Sequence, residues 1–223
     1  DHKEREAFQE VDYRAFFGSM AKWATEIDNV DRIPEILARA WRVALSGRPG
    51  PVVIALPEDM LTAQTTAQPC RPVTVAEAGV DQTQMDHVAA LLADADRPLV
   101  LAGGGGWTPQ GREDLQAFCE REHLPMAAIF RYHDIVDNHS PCYIGDAGVG
   151  MAPHVSEAIA SADVILAVNA RFGEATTKAR PLLDVPNPKP KIIQKPDSER
   201  EFGKIYPPEL ALHSGPNQVS ADL

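Results

Sequence analysis

The sequence predicts an α/β protein with a doubly wound parallel sheet, preceded by the terminal helix and strand of a second α/β domain. Segments with helical spacing alternate with short apolar segments along the chain. Apolar runs such as "LVLA" (99–102) and "ADVILAV" (162–168) are short and continuous, as in strands that are buried on both faces. A tight turn, "SGRPG" (46–50), joins a helical segment to an apolar run. These three observations favour the α/β class.

The first helix is predicted from Asp31 to the Ser46-Gly47 pair. Pro34 is tolerated because it lies in the first turn, and Gly47 can adopt the left-handed conformation of a helix cap. One helical face is apolar, at positions Ile33, Ile36, Leu37, Ala40, Trp41 and Ala44. The run "PVVIALP" (51–57) follows and predicts a parallel strand buried on both faces.

A linker is predicted at residues 62–80, where periodicity is lost and Thr, Gln and Pro accumulate. A new helix follows, because Asp81 and Gln84 have the spacing of a capping box. We therefore divide the chain into a first domain at 1–61, the linker, a second domain at 81–216 and a tail at 217–223.

The first strand of the second domain is predicted at 99–102, and it runs into four glycines. Thr108 can cap the helix that follows, with Pro109 at its first position. A loop-rich stretch is predicted at 131–153 and a short helix at 155–161. The remaining strands are predicted within the segments 124–130, 162–168, 191–194 and 210–213.

Composition argues against several classes of partner. Lys and Arg total 21 against 32 Asp and Glu, so the formal charge is -11. Nucleic acid and anionic membranes would be repelled. No run is apolar enough to span a bilayer and no signal peptide is visible, so we expect a cytoplasmic protein. The chain begins at Asp1 without an initiator Met, and we expect it to be a fragment.

No metal site or disulfide framework is expected. Cys70, Cys119 and Cys142 are odd in number and form no CxxC pair. Asp134 and Asp137 lie close in sequence to two histidines, but polar loops often collect such residues.

The four glycines at 103–106 are the first candidate binding site. Ligands of doubly wound sheets bind beyond the carboxyl ends of the strands, where glycine amides can approach a phosphate. The run satisfies neither GxGxxG nor GxxxxGK[ST], so a merely tight strand-to-helix turn remains an alternative. Arg171 follows the strand at 162–168 and suits an anion or a surface salt bridge. The segment "YIGDAGVG" (143–150) suits a ligand loop or a simple connection.

Three stretches together resemble thiamine diphosphate enzymes of the acetolactate synthase and benzoylformate decarboxylase type: "SGRPGPVVIALPEDM" (46–60), "ADRPLVLAGGGG" (95–106) and "ADVILAVNARFGEATT" (162–177). The resemblance implies the end of a pyrimidine-binding domain followed by a Rossmann-like central domain. It also implies an intact homodimer or homotetramer that uses thiamine diphosphate and Mg²⁺ to decarboxylate or join 2-oxo acids or related carbonyl compounds.

The same resemblance implies roles for individual residues. Phe8, Gln9 and Lys22 would lie near the substrate or cofactor of a partner subunit. The alternatives are a core position for Phe8 and a solvated face for Gln9 and Lys22. A nucleotide, FAD or ADP, would be lined by Gly103, Gly104, Gly105, Gly145 and Arg171. The glutamate that activates the cofactor and the GDG...N motif that holds its diphosphate are not in this sequence, so we expect the fragment itself to be inactive.

Two departures from acetolactate synthases affect these expectations. Ala175 replaces an arginine that serves substrate recognition, and Lys195 replaces an acidic residue suited to a ribose hydroxyl. The first departure counts against the substrate of an acetolactate synthase, and the second counts against a flavin. A nucleotide-binding or purely structural assembly module is the alternative function. A third hypothesis, an NAD-dependent deacylase, is weakened because the paired CxxC zinc motif is missing.

Overall fold

A computed structural model describes residues 4–8, 10–72, 74–178 and 182–223. The chain divides into two compact units, one ending at Ala76 and the other beginning at Glu77. Within the described residues, the longest helices have 13 residues and none is long and apolar enough to cross a membrane.

The first unit contains a two-stranded parallel sheet. Strands β1 and β2 pair in register from Trp23 opposite Val52 to Glu26 opposite Ala55. The predicted helix is present as α2, with Pro34 in its first turn. In chain order, the elements are α1 (Tyr13–Phe17), β1 (Trp23–Glu26), a 3₁₀ turn (Val30–Arg32), α2 (Ile33–Leu45), β2 (Val52–Ala55) and α3 (Glu58–Thr62).

Burial in this unit differs from the sequence prediction. We expected β2 to be buried on both faces, but all four of its residues are only half-buried. Ile36 and Ala40 of α2 are buried, whereas Leu37 is 51% exposed and Trp41 is 65% exposed. The physical reason is that two short strands offer less apolar surface than the helix face presents.

The second unit is a six-stranded parallel sheet in the order β5-β4-β3-β6-β7-β8. Its elements are α4 (Gln82–Ala93), β3 (Pro98–Ala102), α5 (Pro109–Arg121), β4 (Met126–Ile129), β5 (Tyr143–Ala147), α6 (Pro153–Ser161), β6 (Val164–Val168), β7 (Lys191–Lys195), a 3₁₀ turn (Glu199–Glu201), β8 (Leu210–Ala211) and α7 (Pro216–Asp222). From β3 the chain adds β4 and then β5 on one side. It then returns to place β6, β7 and β8 on the other side of β3. The doubly wound prediction is therefore confirmed.

Alternate residues of the central strands feed two separate apolar cores. Val100 and Ala102 of β3 pack with residues of α4, α5 and α7. Leu99 and Leu101 pack in a second cluster with residues of α6. Because both faces are covered, the strands read as continuous apolar runs rather than as alternating ones.

Two elements of this unit were not predicted. Strand β5 lies inside the stretch 131–153 that we expected to be loop-rich, and its half-polar sequence YIGDA explains the omission. Residues 217–223, predicted as a tail, lie mostly within α7, which packs against α5 and buries Val219.

We predict that one thiol reacts in the native protein. Cys70 is exposed, whereas Cys119 and Cys142 are buried. Burial raises the pKa of Cys119 to about 12 and also raises the pKa of Cys142, so both stay protonated at neutral pH. A thiol titration with Ellman's reagent should give one equivalent in native protein, none in Cys70→Ser and three in unfolded protein. Two or more native equivalents would contradict this burial.

Candidate functional site

The candidate site lies where β3 and β6 end side by side. These two strands pair in parallel, with Ala102 opposite Val168 at their carboxyl ends. The N–H of Gly103 continues the pairing by donating to the carbonyl of Val168 at 3.1 Å. The next strands, β4 and β7, lie on opposite sides of this pair. A crevice opens at such a reversal of strand order, and doubly wound proteins bind ligands there.

The first two glycines of the run are required by packing. A Cβ added to Gly103 would lie 2.2 Å from Cγ1 of Ile129. Gly104 has a positive φ of 67°, and a Cβ there would lie 2.7 Å from the carbonyl oxygen of Asn169. A Cβ added to Gly105 would have no described atom within 4 Å. Packing and backbone conformation therefore explain the first two glycines of the run without a ligand.

Side-chain donors hold three carbonyls of the glycine run. The carbonyl of Gly103 accepts from the Trp107 indole N–H at 2.7 Å. The carbonyl of Gly105 accepts from Nδ2 of Asn169 at 2.7 Å, and that of Gly106 accepts from Nδ2 of Asn217 at 2.9 Å. We call residues 103–108 the glycine loop.

The loop leaves backbone amides available for an anion. Among the described residues, the N–H groups of Gly104, Gly105 and Gly106 donate no hydrogen bond. Thr108, the last residue of the loop, caps α5 by accepting from the N–H of Gly111 at 3.0 Å. Successive open amides beside a helix N-terminus have the geometry and polarity that phosphate groups require.

Asn217 ties the loop to the last helix. Its Oδ1 accepts from the Thr108 N–H at 2.8 Å and from the Thr108 hydroxyl at 3.1 Å. Its Nδ2 also donates to the Glu77 carboxylate at 3.1 Å. The segment that begins the second unit, the glycine loop and α7 therefore meet at one amide side chain.

A buried lysine lies at the end of β7, the strand that pairs with β6 on the side away from β3. Lys195 ends β7, is 3% exposed, and donates from Nζ to Oδ1 of Asn169 at 2.6 Å. Asn169 is 1% exposed and adopts a left-handed φ of 53°, which asparagine tolerates better than most residues. Burial lowers the pKa of Lys195 to about 8, while the nearby carboxylates of Glu77 and Asp197 act in the opposite direction.

Arg171 lies just beyond β6, at the same edge of the sheet. Its Nε is 3.4 Å from Oε2 of Glu201. A cleft of about 160 Å³ beside it is lined by residues that include Phe172, Gln194 and Tyr206. Oε1 of Gln194 is buried there and has no hydrogen-bond partner among the described residues. The edge therefore combines a cation, an unpartnered acceptor and the open loop amides.

The remaining predicted residues lie elsewhere. Gly145 is within β5, two strands from β3, where its φ of 127° and the contact with Val155 of α6 account for glycine. In the first unit, Phe8 is 92% exposed, and Lys22 donates from Nζ to the carbonyl of Ser46 just past the end of α2. Gln9 lies outside the described residues.

No group of three or more potential metal ligands occurs in the described part of the chain. In the polar loop, Asp137 accepts instead from the ring Nδ1 of His139 at 3.0 Å, and both side chains are exposed. The backbone and side-chain hydrogen bonds from His139 lower the pKa of Asp137.

Comparison with known proteins identifies the fold that carries this site. Residues 85–223 match the family model "Thiamine pyrophosphate enzyme, central domain". The chain belongs to the thiamine pyrophosphate enzyme family. The match contains the whole glycine loop, Asn169, Lys195 and α7 with Asn217.

Relatives of this thiamine pyrophosphate enzyme chain include three named proteins. The chain is 27% identical over 214 residues to the acetolactate synthase isozyme 2 large subunit of Escherichia coli (strain K12), covering 96% of this chain and 38% of that protein. It is 27% identical to the acetolactate synthase large subunit of Corynebacterium glutamicum, covering 98% of this chain and 35% of the relative. It is 26% identical to the glyoxylate carboligase of Escherichia coli O157:H7, covering 94% of this chain and 35% of that protein. The chain thus spans little more than a third of these relatives.

A nucleotide phosphate would fit the open amides of the glycine loop, which carry partial positive charge. The sequence departure at Lys195 has a structural meaning as well. Where an acidic residue would offer acceptors to a ribose, this chain has a buried ammonium group that already binds Asn169. The site thus fits the phosphate part of a nucleotide better than it fits that particular ribose contact.

Sequence reasoning missed Asn169 and Asn217 as site residues. Asn169 follows directly after a buried strand, where its tolerance of left-handed backbone is a weak local signal. Asn217 is far from the glycine loop in sequence, and only the tertiary fold brings them together.

We predict that the glycines of the loop differ in their tolerance of alanine. Gly103→Ala should lower the free energy of unfolding by about 1–3 kcal/mol, because the new methyl group overlaps Ile129 in a packed core. In Gly105→Ala the new methyl group points into open space, so the free energy of unfolding should change by less than about 0.5 kcal/mol. Denaturant unfolding measures both values. Equal losses in the two variants would contradict the packing assignment.

Proposed function

We propose that the intact protein is a thiamine diphosphate enzyme that forms or breaks a carbon–carbon bond next to the carbonyl of a 2-oxo acid. The single observation that carries this proposal is the match of residues 85–223 to the central domain of the family. Support comes from relatives named acetolactate synthase and glyoxylate carboligase, which align with more than nine-tenths of this chain.

Thiamine diphosphate, held through Mg²⁺, would supply the carbanion chemistry when bound, while protein groups bind and orient the reactants. We propose that Phe8 and Gln9 approach the substrate or cofactor in a partner subunit of a homodimer or homotetramer. The near-complete exposure of Phe8 leaves its ring available for such a contact. Lys22 is also exposed, but its bond to Ser46 already gives it a role in holding the end of α2.

The fragment of 223 residues is proposed to be inactive by itself. Its second unit would contribute the six-stranded sheet, while the carbanion chemistry would come from the cofactor. In this proposal the second unit is the central, assembling part of a larger enzyme.

The full-length protein should consume pyruvate or glyoxylate only when thiamine diphosphate and Mg²⁺ are both present. Product analysis would show whether it releases CO₂ alone or also joins two substrates. Phe8→Ala should lower kcat/KM by about tenfold, a loss of roughly 1.4 kcal/mol of transition-state stabilisation. Phe16→Ala, which removes another exposed phenyl ring, is the matched control. Turnover that survives removal of the cofactor would contradict the proposal.

A second candidate function is nucleotide binding by the second unit, with FAD or ADP as ligand. The observation that favours it is the set of open amides at Gly104, Gly105 and Gly106. We propose that these amides and the cation of Arg171 receive the phosphates, since both are at the carboxyl edge of the sheet. The alternative, a purely structural module, needs no ligand there.

ADP or FAD at about 100 times its Kd should raise the free energy of unfolding of the full chain by about 2.7 kcal/mol. For a chain of this size, the thermal midpoint should rise by about 5–10 °C. Adenosine, which lacks phosphate, should have little effect and is the control ligand. No shift with either nucleotide at millimolar concentration would favour the structural module.

A further inference from the structure

We propose that Lys195 is a positioning residue for the glycine loop: through Asn169 it fixes the Gly105 carbonyl, so that the Gly106 amide faces a phosphate-bearing ligand. The inference rests on the proposed nucleotide site and adds to it a residue outside the glycine run. Three hydrogen-bonding groups carry it, namely the Lys195 ammonium, the Asn169 amide and the Gly105 carbonyl.

The first step is the bond between Lys195 and Asn169. Both residues are almost fully buried, and Nζ lies 2.6 Å from Oδ1. The main chains are joined as well, because the N–H of Asn169 donates to the carbonyl of Lys195 at 2.5 Å. An ammonium group has donors and no acceptor, so it determines which end of the Asn169 amide faces it. Nδ2 is therefore directed away from Lys195.

The orientation of the Asn169 amide determines the orientation of one peptide group in the loop. Nδ2 of Asn169 donates to the Gly105 carbonyl at 2.7 Å. In a planar trans peptide, the C=O of one residue and the N–H of the next point in opposite directions. Fixing the Gly105 carbonyl toward Asn169 therefore directs the Gly106 N–H to the other side. Gly106 is exposed, and that N–H has no acceptor among the described residues.

The third step is electrostatic. Lys195 brings a positive charge to within two hydrogen bonds of the loop, inside a poorly solvated part of the protein where charges are weakly screened. The charged groups that act on it are the carboxylates of Glu77, before α4, and Asp197, after β7. A phosphate at the loop would be attracted by this charge as well as by the amides. Because burial lowers the pKa of Lys195 to about 8, the charge is lost in an accessible pH range.

The test is ADP binding to the full chain by isothermal titration calorimetry at pH 7.5 and pH 9.5. Over this range ADP keeps its charge, so a change in affinity reports on the protein. Wild-type protein should bind ADP more weakly at the higher pH, because Lys195 is then neutral. Lys195→Met should bind about tenfold more weakly at pH 7.5 and lose most of the pH dependence. Lys195→Arg should bind ADP as tightly as wild type at pH 7.5. Its affinity should not fall at pH 9.5, because arginine keeps its charge.

Two further variants keep the test decisive if Lys195→Met folds poorly. Lys191→Met removes an exposed lysine from the same strand and should behave as wild type. Asn169→Gly keeps a backbone that favours positive φ but cuts both side-chain bonds, and it should weaken ADP binding and shift the Gly106 amide signal in NMR spectra.

The outcomes separate the two proposals. If wild-type protein does not bind ADP, the nucleotide site and this inference both fail. If ADP binds equally well to wild type, Lys195→Met and Asn169→Gly, with the same pH dependence, the nucleotide site stands and the role of Lys195 is wrong.

Discussion

The parallel pairing of β3 with β6 is the interaction on which the rest of the second unit depends. It joins two strands whose successors lie on opposite sides, so both halves of the sheet meet along this pair and share its carboxyl edge. The bond from Gly103 to Val168 extends the pairing by one residue beyond the strands. Everything described at the candidate site, the glycine loop, Asn169 and Arg171, follows directly from those two strand ends.

A buried ammonium group near this point needs a physical justification. Removing a charge from water costs several kcal/mol, and here the cost is visible in a lysine pKa of about 8. Oδ1 of Asn169 supplies one acceptor, and the Glu77 and Asp197 carboxylates supply opposite charge. Glu77 is also bound by Asn217, which in turn holds Gly106. The lysine and the glycine loop thus share a polar network that two asparagines connect.

The sequence predicted most of the strands and helices, because their signals are local. Thr108 and Pro109 marked the start of α5 as predicted, and continuous apolar runs marked β3 and β6. Strand β5 was not predicted because YIGDA is polar enough to resemble a loop. Its position at the edge of the sheet allows that polarity. The partial burial of β2 was also unpredictable from apolar content alone, since burial depends on the neighbouring strands that are present.

The glycine run shows why the site was harder to predict than the fold. Sequence analysis could not separate a ligand-binding run from a tight turn, and the structure assigns different reasons to successive glycines. Position 103 requires glycine because a Cβ would overlap Ile129. Position 104 requires glycine because its φ is positive and a Cβ would overlap the carbonyl oxygen of Asn169. A Cβ added to Gly105 or Gly106 would meet no described atom within 4 Å, so packing gives no reason for glycine at either position, although the positive φ of Gly106 does. Both residues are exposed, unlike Gly103 and Gly104. The proposal of a phosphate at the loop therefore depends on the exposed positions, where packing leaves room beside the backbone.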